Sequence, residues 1–198
     1  MKNFDVSYDY RCPFARNIHL HLIAALNAGA DFDVNFIPWT MSQGYKSVGA
    51  PDVWNDPSRD SDVLALAVST SVRDQQPELF LTAHEALFRA RHERAIRLVT
   101  MEEIDQVLAR LGVDMQRVRD DVATRRPHQV IGESFAQFER YEAFGVPTFV
   151  VNGDATFVRY MTGPSDNAHD SIKMLDALVT LMEHEPELNE FKHTRVPM

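Results

Sequence analysis

The hydrophobic period of this chain changes twice, and that change limits its architecture more than any other feature. Residues 3–10 alternate, with Phe4, Val6 and Tyr8 on one face, the period of a strand. Pro13 suits the first turn of a helix, and Phe14, Ile18, Leu22, Ala25 and Leu26 share a face until Gly29 offers a stop. Phe32, Val34, Phe36 and Ile37 predict a second strand within 31–39. Two strands joined through a helix make a βαβ unit, whose strands pair in parallel.

A loop rich in Gly, Pro, Ser and Asp covers 42–60, and helical spacing then dominates for about eighty residues. Leu64, Val68 and Val72 fall four apart, and Pro77 precedes a helix carrying Phe80, Leu87 and Phe88. Thr100 and Glu103 have the capping-box spacing, Gly112 closes that helix, and Asp114 can cap the next. Pro127 opens a further helix expected to reach about Phe144. Strand character returns at Pro147–Val151. Asn152-Gly153 signals a hairpin, and Ala155–Tyr160 supplies the returning strand. After Gly163-Pro164 a last helix carries Ile172, Leu175, Leu178, Val179 and Met182. The order is β-α-β, a helical block, then α-β-β-α. That is an α/β, thioredoxin-like fold interrupted by an all-helical insertion, with 1–58 and 128–198 in the first domain and 59–127 in the insertion.

With 20 Lys and Arg against 29 Asp and Glu, the net charge is −9, which opposes a general basic field for nucleic acid or an anionic membrane. A local basic pocket for a small anion stays open. No apolar run has transmembrane length, and MKNFDVSYDY enters strand pattern without an apolar signal core. One cysteine cannot form an internal disulfide, so a cytoplasmic location is expected.

That cysteine stands in DYRCPFARN, between Arg11 and Pro13, where strand gives way to helix. An ordinary thiol titrates near about 8.5, and unpaired N–H groups at a helix start favour its anion. Arg11 and Arg16 are expected to add positive charge. The bland alternative is a small buried apolar residue. Tyr10, Phe14 and Trp39 are candidates for an apolar substrate pocket, against a plain core role. His84 and His92 share a helix face, for which a solvated surface is favoured over a metal site; no metal site is expected anywhere.

Four segments carry a resemblance: Cys12-Pro13-Phe14-Ala15 at the helix start, Trp39-Thr-Met-Ser42, Gly145-Val-Pro-Thr-Phe149 with Asn152-Gly153, and Gly163-Pro164 with the tail from Glu190 to Arg195. Together they resemble the DsbA-like branch of the thioredoxin superfamily. The branch includes FrnE-type oxidoreductases, hydroxychromene-carboxylate isomerases and kappa-class glutathione transferases; mycothiol-dependent nitroreductases are nearer still. The resemblance implies that Cys12 is the nucleophile. It also implies that the Val146–Pro147 bond is cis, with Pro147 facing Cys12 and Val146 pairing with bound thiol or peptide. Tyr10, Pro13, Phe14, Ala15 and Trp39 would line the substrate site.

The chain departs from the redox pattern, Cys-x-x-Cys, at Ala15, and from the transferase pattern by holding cysteine where those relatives have serine. A lone thiol needs an external thiol to release a mixed disulfide. The expected activity is therefore thiol-disulfide exchange on a small-molecule or protein disulfide, with mycothiol or glutathione as co-substrate. A kappa-like transferase or isomerase, and a non-catalytic binding protein, are the alternatives. A homodimer is compatible with the resemblance; nucleic acid and membrane partners are not expected.

Overall fold

In a computed structural model, residues 1–190 and 192–195 are described; Phe191, within the tail motif, lies outside them. The strands are β1 (Lys2–Tyr8), β2 (Phe32–Pro38), β3 (Thr148–Val151) and β4 (Asp154–Phe157). The helices are α1 (Pro13–Asn27), α2 (Asp60–Gln75), α3 (Pro77–Glu93), α4 (Met101–Leu108), α5 (Met115–Ala123), α6 (Arg126–Glu139) and α7 (Ala168–His184). The chain divides into two compact units. A sheet unit holds residues 1–8, 14–37 and 143 onward; a helical unit holds residues 9–13 and 38–142.

In the sheet unit the strand order is β2-β1-β3-β4. β1 runs antiparallel to β3, with Asp5 opposite Val150 and Val6 opposite Phe149. β3 and β4 form a hairpin in which Val151 faces Asp154. Asn152 and Gly153 have φ of 53° and 92°, the two left-handed residues of a type I′ turn, as their sequence predicts. Phe4, Val6 and Tyr8 are buried as their alternation requires, and Phe4 packs 5.5 Å from the Phe149 ring.

α1 is buried more fully than one apolar stripe predicts, since Asn17, His19 and His21 are inside as well. Each meets a backbone or hydroxyl group that can share a hydrogen bond with it. Asn17 donates to Tyr160 O at 2.9 Å, His19 Nε2 lies 3.2 Å from Ser7 O, and His21 meets Ser171 Oγ and Thr162 O.

The helical unit is built around α2, which contacts α3, α5 and α6. Its run Leu66–Val72 is buried on every side, a position that small Ala, Ser and Thr side chains permit. The Thr100–Glu103 capping box and the Asp114 cap form as predicted. The loop over 42–60 contains short 3-10 turns at Met41–Tyr45 and Pro57–Arg59. α6 ends at Glu139, short of the expected Phe144. Tyr141 and Glu142 donate to carbonyls three residues back, and Glu142 turns left-handed at φ 55°. β4 stops at Phe157 rather than Tyr160.

Candidate active site

The approach to Cys12 is a tight turn, closed by the Cys12 amide donating to Asp9 O at 3.0 Å. Asp9, 2% exposed, receives the Arg11 guanidinium through both oxygens, with Nε to Oδ1 at 3.1 Å and Nη2 to Oδ2 at 2.7 Å. It also accepts the amides of Arg11 and Met41. The remaining Arg11 donors reach Ser42 Oγ and Thr40 Oγ1, within the Trp39–Ser42 segment singled out in the sequence. Burial works against the Arg11 charge, but the Asp9 hydrogen bond and carboxylate more than offset it and raise the guanidinium's pKa. This corrects the expectation that Arg11 lends its charge to the thiol: that charge is matched by a buried carboxylate.

Tyr10 is buried, and its hydroxyl shares a hydrogen bond of 2.6 Å with His84 Nδ1. A carbonyl can only accept, so His92 Nε2 is protonated where it donates to Tyr10 O at 2.8 Å. This corrects the expectation of a solvated face: His84 is buried and His92 half-buried. His84 is fully buried between Phe80 and Phe88, with ring centroids 4.9 Å away on each side. Two histidines eight apart, two helical turns along α3, fasten the turn that ends at Cys12.

Cys12 is 7% exposed and directly precedes Pro13, the first residue of α1. Proline has no N–H, so the free amides of the first turn begin at Phe14. Ala15 is fully buried, and Phe14 lies under the Arg159 guanidinium at 4.9 Å. Arg16 donates to Asn17 Oδ1 at 2.9 Å. In the sheet unit the Val146–Pro147 peptide is cis. Pro147 O accepts the Val158 amide at 3.1 Å, and the Thr148 amide donates to Ser7 Oγ at 2.9 Å.

A DSBA-like thioredoxin domain matches this chain over residues 4–170. The chain belongs to that family. The DSBA-like chain is 31% identical over 103 residues to the thiol:disulfide interchange protein DsbA of Pseudomonas aeruginosa, in two strains. The match takes in 48% of this chain and 44% of that protein, so it spans less than half the length of those curated relatives. Among solved structures it is similar to the cytosolic disulfide reductase DsbM from Pseudomonas aeruginosa with GSH. That likeness has a TM-score of 0.64 and 17% identity, over 90% of this chain and 100% of the other. It is also similar to the oxidoreductase NmDsbA1 from N. meningitidis, at a TM-score of 0.59 and 13% identity, over 93% and 85% of the two chains. These are likenesses of fold: mixed α/β and thioredoxin-like, as expected.

Of the predicted site residues in this DSBA-like chain, Tyr10, Cys12, Pro13 and Trp39 fall in the helical unit, and Phe14, Ala15, Val146 and Pro147 in the sheet unit. Trp39 stacks on Phe135 at 5.3 Å and 13°, and Phe135 also meets Trp54 at 5.3 Å. The Trp39 indole Nε1 is buried without a hydrogen-bond partner among the described residues. Sequence reasoning missed the Asp9–Arg11 pair and the His84 and His92 contacts. The shared helix face of the two histidines, eight residues apart, was the available signal, and it was read as surface.

Proposed function

We propose that this chain is a thiol-disulfide oxidoreductase that uses Cys12 as a single nucleophile and an external low-molecular-weight thiol to resolve the mixed disulfide. The observation that carries the reading is the placement of the chain's one cysteine immediately before α1, with buried Ala15 where dithiol relatives hold their second cysteine. Amides of the helix's first turn favour a thiolate there. The Cys12 thiolate attacks a disulfide R–S–S–R′, forming Cys12–S–S–R and expelling R′S⁻, which takes a proton from water. A second thiolate, R″S⁻, attacks the R sulfur, yields R–S–S–R″ and returns Cys12 as thiolate. Cys12 ends each cycle unchanged, and the electrons come from the external thiol. In this reading Pro147 and Val146 present backbone to the bound substrate, Tyr10, Pro13, Phe14, Ala15 and Trp39 bound its site, and 59–127 is the insertion domain on a thioredoxin-like body.

Family membership and the likeness to a cytosolic disulfide reductase crystallised with GSH support a small-thiol co-substrate, mycothiol or glutathione. The absence of any internal disulfide supports a cytoplasmic site of action. No helix among the described residues is long and apolar enough to cross a membrane.

The test is a single-turnover experiment with hydroxyethyl disulfide, read by mass spectrometry. Without a small thiol, the protein should gain one adduct on Cys12 and stop. Glutathione or mycothiol should restore steady turnover, and Cys12→Ser should abolish it. Thiol-dependent activity persisting in Cys12→Ser would move the assignment to a transferase, in which residue 12 only hydrogen-bonds a bound thiol.

A further inference from the structure

Arg91 and Arg97, both of the helical unit, have no counter-ion among the described residues. Arg91, in the last turn of α3, and Arg97, in the loop after it, line one open, shallow cleft with Asp9, Tyr10, Arg11 and Asp62. Both carboxylates on the wall are already matched, Asp9 by Arg11 at 2.7 Å and Asp62 by Arg59 at 2.7 Å. Among the described residues neither Arg91 nor Arg97 has an ion-pair or hydrogen-bond partner. In a chain of net charge −9, a concave surface with two surplus guanidinium groups concentrates positive potential where the rest of the molecule repels anions.

The segment presenting Arg97 is braced. Ala95 and Leu98 are both left-handed, at φ of 56° and 60°, a conformation side-chain-bearing residues adopt at a cost. Leu98 is 3% exposed, and the next residue, Val99, donates its amide to Glu103 Oε2 at 2.8 Å. Packing and capping thus hold the strained loop, and Arg97 stands on it facing the cleft.

We propose that this cleft binds the carboxylate end of the small thiol that resolves Cys12, which rests on the function proposed above and narrows its co-substrate. The planar fork of a guanidinium matches a carboxylate with two parallel hydrogen bonds. The cleft is also lined by the turn Asp9–Arg11, whose next residue is Cys12. A thiol bearing carboxylates, such as glutathione, has the matching group; mycothiol, a neutral sugar conjugate of acetylcysteine, does not.

Calorimetric titration of the full chain tests this with S-methylglutathione, which keeps both carboxylates and cannot react, against its dimethyl ester and inorganic phosphate. S-methylglutathione should bind about tenfold or more tightly than the ester, and the Arg91→Ala/Arg97→Ala double variant should lose a similar factor. Phosphate should bind more weakly than S-methylglutathione. Ester binding as tight as the acid's, or undiminished affinity in the double variant, overturns the proposal. Phosphate binding as tightly as S-methylglutathione overturns it too, making the cleft a site for a free anion. Because the wild-type comparison of acid with ester needs no variant, a misfolded mutant does not block the test. Failure of the underlying reading looks different: wild-type Cys12 then forms no adduct with uncharged hydroxyethyl disulfide, whatever the calorimetry gives.

Discussion

Asp9 and His19 show opposite ways of placing a titratable side chain inside this fold. Asp9 stays buried because Arg11 and two amides surround its oxygens, so the charge is matched where it stands. His19 is fully buried, and burial pushes its pKa down to about 3 despite the nearby Ser7 carbonyl, which favours the charged ring. Burial likewise lowers His21 and His128. Above the unfolded histidine value of about 6.5, folded and unfolded rings are both neutral and cost nothing. As pH falls below it, the unfolded chain takes up protons that the folded chain refuses. Stability then drops by about 1.4 kcal/mol per pH unit for each such ring, until the folded pKa is reached. Urea midpoints should therefore fall from pH 6.5 toward pH 4, and His19→Leu should flatten that fall by about one proton's worth. An unchanged slope would mean that His19 is protonated in the folded protein.

Helix α6 carries a glycine whose role is packing rather than flexibility. A Cβ at Gly132 would lie 2.6 Å from Nε1 of Trp54, an indole that is itself 9% exposed. Helix propensity alone favours Gly132→Ala by about 1 kcal/mol. Overpacking against a buried indole costs about 1–3 kcal/mol and should prevail, so a lower melting temperature is expected, with near-UV circular dichroism showing a displaced tryptophan. A rise in melting temperature would show that Trp54 yields freely. This glycine also marks what the sequence could express about elements. Capping boxes, the Asn-Gly hairpin and strand alternation are local codes, and those elements formed where predicted. The ends of α6 and β4 were missed because a left-handed Glu142 and an early strand stop are tertiary choices with no glycine or proline to announce them. Periodicity likewise reports that Phe80, His84, Phe88 and His92 share a face, but not what covers it. For histidine, which is at home in either setting, the surface reading failed.

Across the whole molecule, the β-α-β and α-β-β-α halves were legible from pattern, and the cis Val146–Pro147 bond from resemblance. The assignment of Asp9–Pro13 to the helical unit was not, since five residues between a strand and a helix look like a plain connection. Those five residues are fastened by Met41, His84 and His92, none of which belongs to the sheet unit. His92→Ala should thus slow formation of the Cys12 mixed disulfide by about tenfold, as expected of a misplaced reacting group, with little change in far-UV circular dichroism. His92→Gln keeps an N–H able to meet the Tyr10 carbonyl and should recover most of the rate. Equal rates in wild type and both variants would show that the turn stands without α3. The same threading bears on modularity. A helical block inserted between two halves of a sheet looks like a cassette that an ancestor could gain, swap or discard. Here the block holds the peptide that carries Cys12, so a lineage that deleted it would keep the cis proline of the sheet unit and lose the scaffold of its one cysteine.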